Sequence, residues 1–154
     1  MECIFKDTQV TQISNHLGIT KKVVNDILTY YVGYLKSKLE SGETVKFLNV
    51  CYLKVGGKDV EVHETLAYIS NIIGKELDVT QSVVYRVLTS FEDFLIKDLQ
   101  NLNSYSIRGL IRIKLEKNYK GEWKVRTKKS TAYNNWDIYI TTLPSFKRRA
   151  EVFV

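Results

Sequence analysis

The feature that most constrains this chain is an internal repeat. The stretch ISNHLGITKKVVNDIL, which begins at Ile13, recurs in altered form in ISNIIGKELDVTQSVVYRVL, which begins at Ile69. A shift of 56 residues aligns the copies through Gly18 and Gly74, four extra residues then enter, and a shift of 60 aligns the rest as far as Leu115. Any fold for this chain must therefore use the same arrangement twice.

The composition predicts that the two repeats pack on each other. The chain has 154 residues, of which 44% are hydrophobic and 26% are charged, as in an ordinary globular protein. Two small domains also fit this length, but one proline and eight glycines leave no stretch that could serve as a long flexible linker. We expect the first repeat in residues 1–63 and the second in residues 64–154.

Each repeat is predicted to contain two helices followed by strands, which makes the fold class α+β. Apolar residues spaced by three and four form one stripe on a short helix that Gly18 would end. Thr20 is expected to cap a longer helix that ends near residues 41–42, and its counterpart runs from 80 to about 100. The run LNVCYLKV is expected to be a strand, and Gly56-Gly57 to close a two-residue hairpin with KDVEV.

The second repeat contains a long basic insertion that the first repeat lacks. Between SIRGLIRIKLE and WDIYITTL, which is expected to return to the sheet, lies the sequence KNYKGEWKVRTKKSTAYNN. Residues 108–149 hold twelve Lys and Arg against three acidic residues, whereas the rest of the chain holds eleven against fourteen. The net charge of +6 is therefore concentrated around this insertion, which we predict to be a long, basic, aromatic-bearing arm at about residues 116–137.

With these motifs in place, the chain resembles the bacterial histone-like HU and integration host factor family. Residues 65–149 resemble nearly a full subunit: helix, Gly74, helix, a strand motif with Gly109, an arm and LPSFKRR. Residues 8–63 resemble the same subunit with its arm cut back to the two glycines. The family works as an intertwined dimer, so the resemblance implies two HU-like repeats packed as an intramolecular pseudo-dimer with one long arm.

The chain departs from this family at three places. No Arg-Asn-Pro stands at the arm tip, so the family's proline wedge between base pairs has no counterpart. The second glycine of the strand motif is Ile111 here, and the C-terminal helix is shortened to AEVFV. The resemblance therefore implies DNA binding without implying strong DNA bending.

The resemblance and the charge distribution together predict binding to double-stranded DNA with little sequence preference, by a histone-like, nucleoid-associated protein that could condense DNA. Lys and Arg on a β-ribbon neutralise phosphates and release counterions. Trp123 could stack on sugars or insert at a base step, or instead cover the apolar face of the ribbon. In the first repeat, Leu48 and Tyr52 stand at the positions of Arg108 and Arg112. The DNA-binding face is therefore expected on one side of the molecule only. The predicted DNA-binding residues are Arg108, Arg112, Lys114, Lys117, Lys120, Trp123, Lys124, Arg126, Lys128, Lys129, Lys147, Arg148 and Arg149.

Two other functions stay open from the sequence alone. The stretch VTQISNHLGITKKVVNDIL also resembles a helix-turn-helix, with Gly18 in the turn and Lys21, Lys22 and Asn25 as base-reading residues of a transcription regulator. A third interpretation is a protein-protein interaction module without a nucleic-acid role.

The remaining function classes have little support. No nucleophile elbow, phosphate loop or carboxylate pair is present, so we expect neither an enzyme nor a small-molecule substrate. The two histidines and two cysteines stand at no metal-ligand spacing, and we expect no metal and no cofactor. Without a leader-like or membrane-spanning segment, the expected location is the cytoplasm.

The repeat itself predicts a monomer in solution, because fusion of the repeats makes their contact intramolecular. The apolar faces of Val24 and Ile27 should meet those of Val84 and Val87, and halves cut at Gly56-Gly57 should not fold stably. Any further self-association should use Tyr30 or Tyr34. Light scattering on the purified chain tests this expectation, and an obligate dimer that pairs each repeat with its own copy would contradict it.

Overall fold

The chain folds into an α+β structure, as the sequence predicts. The computed structural model describes residues 7–55, 64–102, 104–107, 111–117, 123–128 and 138–142. Four helices and six strands lie within these residues. In chain order they are α1 Asp7–Leu17, α2 Lys21–Glu40, β1 Val45–Phe47, β2 Cys51–Val55, α3 Leu66–Leu77, α4 Gln81–Leu102, β3 Ser104–Ile107, β4 Ile111–Lys117, β5 Trp123–Lys128 and β6 Ile138–Thr142.

The helix ends in the first repeat lie where the sequence predicts them. Gly18 follows α1 with φ of +67°, a conformation that glycine adopts without strain. The hydroxyl of Thr20 accepts a hydrogen bond from the backbone N–H of Val23 at 3.4 Å and so caps α2. α2 ends at Glu40, immediately before the predicted stop at residues 41–42.

Gly74 does not end a helix, although it aligns with Gly18. The four extra residues extend α3 to Leu77, and Asp78 caps it in the left-handed region with φ of 55°. The backbone N–H of Val79 then donates to the carbonyl oxygen of Gly74 at 2.9 Å. A Cβ atom at position 74 would lie 2.5 Å from the carbonyl oxygen of Val79, so this glycine permits a close backbone approach.

The predicted strand LNVCYLKV is wrong in its first three residues. Leu48, Asn49 and Val50 form a turn between β1 and β2, and Leu48 has φ of 49°. The hydroxyl of Tyr31 accepts a buried hydrogen bond from the backbone N–H of Leu48 at 2.8 Å, which holds this turn. Leu48 and Val50 are themselves buried, so a continuous apolar run conceals the turn. β3 and β4 repeat the same register, with Ile107 opposite Ile111.

Two three-stranded antiparallel sheets result, and one strand crosses between the repeats. The first sheet has the order β1-β2-β6 and the second has the order β3-β4-β5. The segment WDIYITTL does supply a sheet strand, as predicted, but β6 pairs with β2 of the first repeat. β1 and β6 occupy both edges of Cys51–Leu53, so the predicted hairpin with KDVEV is wrong along those residues. Residues 56–63 lie outside the described residues.

Both repeats contribute to one core. α2 and α4 contact each other, α1 also contacts α4, and α3 also contacts α2. Val24, Ile27, Val84 and Val87 are all buried in the same cluster, so the predicted meeting of these faces is confirmed. The first sheet contacts α2 and the second contacts α4, which leaves the opposite face of each sheet away from its helix.

The two helical glycines with known surroundings should respond oppositely to alanine. Gly33 lies exposed within α2 with no atom near a new Cβ, so Gly33→Ala should raise the free energy of unfolding by about 0.5–1 kcal/mol. Gly74→Ala should lower it by roughly 1–3 kcal/mol, because the new Cβ would meet the backbone of Val79. Urea denaturation of both variants checks the two signs. Equal effects at the two positions would contradict this account.

Candidate nucleic-acid interface

Positive charge is concentrated in the strands. The six strands hold eight Lys and Arg residues and one acidic residue, Glu116, whereas the four helices hold seven of each sign. The excess of basic residues therefore belongs to the two sheets. Their register then determines how these residues are distributed between the sheet faces.

The register of β4 and β5 places five basic positions on one face of the strand pair. Residues directly opposite each other in an antiparallel pair share a face, and successive residues along a strand alternate between faces. The opposite pairs of this face are Arg112 with Lys128, Lys114 with Arg126, and Glu116 with Lys124. These three adjacent pairs thus place five basic residues and one acidic residue on the same face of the ribbon.

The alternate positions of the same strands belong to the core side. Ile113 is fully buried, and the residue opposite it in β3, Tyr105, is only 3% exposed. The ring of Tyr105 meets the edge of Phe91 in α4 with a centroid distance of 6.1 Å. Trp123 and Lys117 occupy positions in this alternate series, which separates them from the basic face. At Ile113 the alternate face of β4 therefore lies on the core side, and the register places the basic positions on the other face.

The register also determines which charged residues of the basic face lie opposite each other. Two of its three opposite pairs, Arg112 with Lys128 and Lys114 with Arg126, juxtapose like charges. Such pairs are destabilising in antiparallel sheets, whereas Glu116 and Lys124 form a favourable combination. The negative charges of a polyanion along this face would attract the basic residues and offset their mutual repulsion.

Two lysines on the first sheet were not among the predicted DNA-binding residues. Lys46 lies opposite Tyr52, and Lys54 lies two residues further along β2 on the same face. The alternate residues of these strands, such as Phe47 and Leu53, are fully buried, whereas both lysines are partly exposed. The alternation of lysines with buried apolar residues was the signal that could have found them. Because β5 and β6 contact each other, the two sheets are neighbours.

Several predicted contact residues cannot be placed on this surface. Arg108, Lys120, Lys129, Lys147, Arg148 and Arg149 lie outside the described residues. Leu48, the equivalent of Arg108 in the first repeat, lies buried in the turn, so the predicted strand position of Leu48 is wrong. Arg112, Lys114, Lys124, Arg126 and Lys128 are the predicted residues that the register brings together.

Helix α2 is a core element along most of its length. Val24, Ile27 and Leu28 are fully buried, and α2 contacts α1, α3, α4 and the first sheet. Of the residues that would read bases in a helix-turn-helix, Lys21 and Lys22 are exposed and Asn25 is partly buried. The exposed residues of α2 therefore form a narrow strip that also includes Asp26, Gly33 and Ser37, and only the first two of the three expected base-reading residues lie on it.

Other chemistry has no geometric basis in the described ranges. No group of three or more His, Cys, Asp or Glu side chains there could hold a metal ion. Cys51 is fully buried, and the loss of solvation raises the pKa of its thiol, which keeps it protonated and unreactive. Among the helices described, none has the length and apolar character needed to cross a membrane.

Comparisons with known proteins do not add an assignment. The chain matches no protein-family model, no curated protein and no solved structure. The candidate interface therefore rests on strand register, burial and charge.

Charge reversal at two positions of β5 should change stability in opposite directions. Lys128→Glu would place an acid opposite Arg112 and should raise the free energy of unfolding by about 0.5 kcal/mol at low salt. Lys124→Glu would place two acids opposite each other and should lower it by about the same amount. Denaturation in urea at low and high salt checks both signs, and salt should shrink both effects. The same sign for both variants would contradict the register.

Proposed function

We propose that this protein binds double-stranded DNA without sequence preference, through the basic face of the β4–β5 ribbon. The main support for the proposal is the register of β4 and β5, which places Lys or Arg at five of the six positions of this face. Phosphate contacts of this kind supply affinity but read no bases. The like-charge pairs support the same proposal. Cross-strand pairs of like charge are unfavourable for stability, and proteins keep such unfavourable features mainly at functional sites.

The proposed architecture is a pair of HU-like repeats that form an intramolecular pseudo-dimer with one long arm. Three observations support it: the repeated element order, the shared core, and the equal register of β1–β2 and β3–β4. The exchange of β6 onto β2 extends the contact between the repeats. In this arrangement the protein acts as a histone-like, nucleoid-associated factor in the cytoplasm, and double-stranded DNA is its partner.

The remaining predicted contacts belong to this proposal as an extension of the ribbon face. Lys117 and Trp123 lie at the end of the ribbon, next to the connection between its strands, where they could reach a groove beside the phosphates. The further proposed contacts are Arg108, Lys120, Lys129, Lys147, Arg148 and Arg149. The helix-turn-helix alternative has less support, because α2 is buried against several elements.

Gel-shift measurements test the proposed function directly. We expect random-sequence duplex to bind, and its affinity to fall steeply with salt, because counterion release drives binding. Replacing Lys124, Arg126, Lys128 and Lys129 by Ala should weaken binding at least tenfold and reduce the slope of log K against log salt by about one for each phosphate that is no longer neutralised. Thermal unfolding of the variant should stay close to that of the parent chain.

A matched control removes equal charge from the helices. Lys21, Lys22, Lys75 and Arg86 are all exposed, and their replacement by Ala should leave duplex binding within about twofold. Severe loss in this control, together with a footprint on one short sequence, would favour the helix-turn-helix. Absence of binding to duplex, single strand and RNA would leave the protein-interaction module.

A further inference from the structure

α1 is attached to the other repeat by a directed polar contact. The side-chain amide of Gln9 donates from Nε2 to Oδ2 of Asp98 at 2.7 Å, and its Oε1 accepts from the hydroxyl of Tyr105 at 2.5 Å. Gln9 is 4% exposed and Tyr105 is 3% exposed, so water cannot easily replace either partner. Both partners belong to the second repeat.

The equivalent place on the other side of the core carries different chemistry. Glu64, next to the start of α3, accepts a hydrogen bond from the hydroxyl of Tyr34 in α2. Its other carboxylate oxygen lies 3.6 Å from Nζ of Lys38, and both side chains of this ion pair are about 30% exposed. Lys38 and Asp98 are equivalent residues, 60 positions apart. The two attachment points therefore use opposite charges.

This difference matters because part of the apolar core is identical in the two repeats and cannot discriminate between them. Val24 and Leu28 correspond to Val84 and Leu88, which are identical residue types and are buried in the same cluster. Apolar burial is non-directional, so two copies of one repeat could bury comparable surfaces. Discrimination between partners then requires polar groups that are satisfied in one pairing and unsatisfied in the other.

We propose that these two contacts contribute to the choice of partner, so that the first repeat favours the second over a copy of itself. Two second repeats would place Glu64 against Asp98, a repulsion between carboxylates. Two first repeats would place Gln9 against Lys38 and Val45, so its buried amide would be deprived of both present partners. The inference concerns assembly and does not rest on DNA binding.

Exchanging the two equivalent residues in the full chain tests the proposal. Lys38→Asp with Asp98→Lys keeps the composition and the net charge but places Glu64 against an acid and Gln9 against a lysine. The exchange also removes the 3.6 Å ion pair of Lys38 with Glu43 in the first repeat, so the comparison with the four-residue variant, which lacks that ion pair as well, isolates the contacts between repeats. Both pairings between identical repeats become matched instead. We expect a fall in Tm of roughly 5 °C and a dimer fraction that rises with concentration in light scattering.

A control and a rescue complete the test. Exchange of the exposed equivalents Asp26 and Arg86 should leave Tm and mass unchanged. Adding Thr8→Glu and Glu64→Thr to the exchanged chain moves the carboxylate to the other attachment point, and it should recover most of the lost Tm and the monomer. The proposal would be overturned by an exchange variant that behaves like the parent chain. The variant with all four substitutions should be more stable than the exchange variant. If it is not, the proposal is overturned as well, and this comparison holds even if the exchange variant does not fold.

Discussion

The rest of the structure depends on burial that neither repeat can complete alone. Each short helix contacts the long helix of its own repeat and that of the other, and α2 meets α4 between them. A helical hairpin with a small sheet leaves too much apolar surface exposed to be stable by itself. The strand β6 adds to this mutual dependence, because it comes after the second repeat's ribbon and completes the first repeat's sheet.

This burial also determines where the charges can lie. Each sheet uses one face to cover a long helix, so alternate strand positions are committed to apolar residues such as Phe47 and Ile113. Every charged strand residue except Lys117 then falls at a position of the opposite face. The basic surface follows from the same alternation that builds the core, and the proposed phosphate contacts need no separate structural element.

Patterns within short stretches of sequence predicted the local structure well. They did not predict the features that depend on contacts between distant residues. The helices and the Thr20 cap followed from spacing and capping within short windows. The turn at Leu48 depends on a hydroxyl from Tyr31, 17 residues away, and apolar runs carry no sign of it. The pairing of β6 with β2 and the role of Gly74 depend on contacts across the fold. For the candidate site, the sequence named the basic residues, but only the register separated Trp123 from them.

The two repeats have diverged at equivalent turns. In the first repeat the turn after β1 is held from both sides: Tyr31 accepts from Leu48, and Oε1 of Glu92 in the second repeat accepts from the backbone N–H of Asn49 at 2.6 Å. The equivalents of Tyr31 and Glu92 are Phe91 and Val32, whose side chains contain no acceptor oxygen. Directed hydrogen bonds thus reinforce the turn of the repeat that bears little charge. The corresponding residues 108–110 of the other repeat lie outside the described residues, between β3 and β4 in the sequence. The repeats therefore share one register, but only the first has these two acceptor side chains to hold the turn after its first strand.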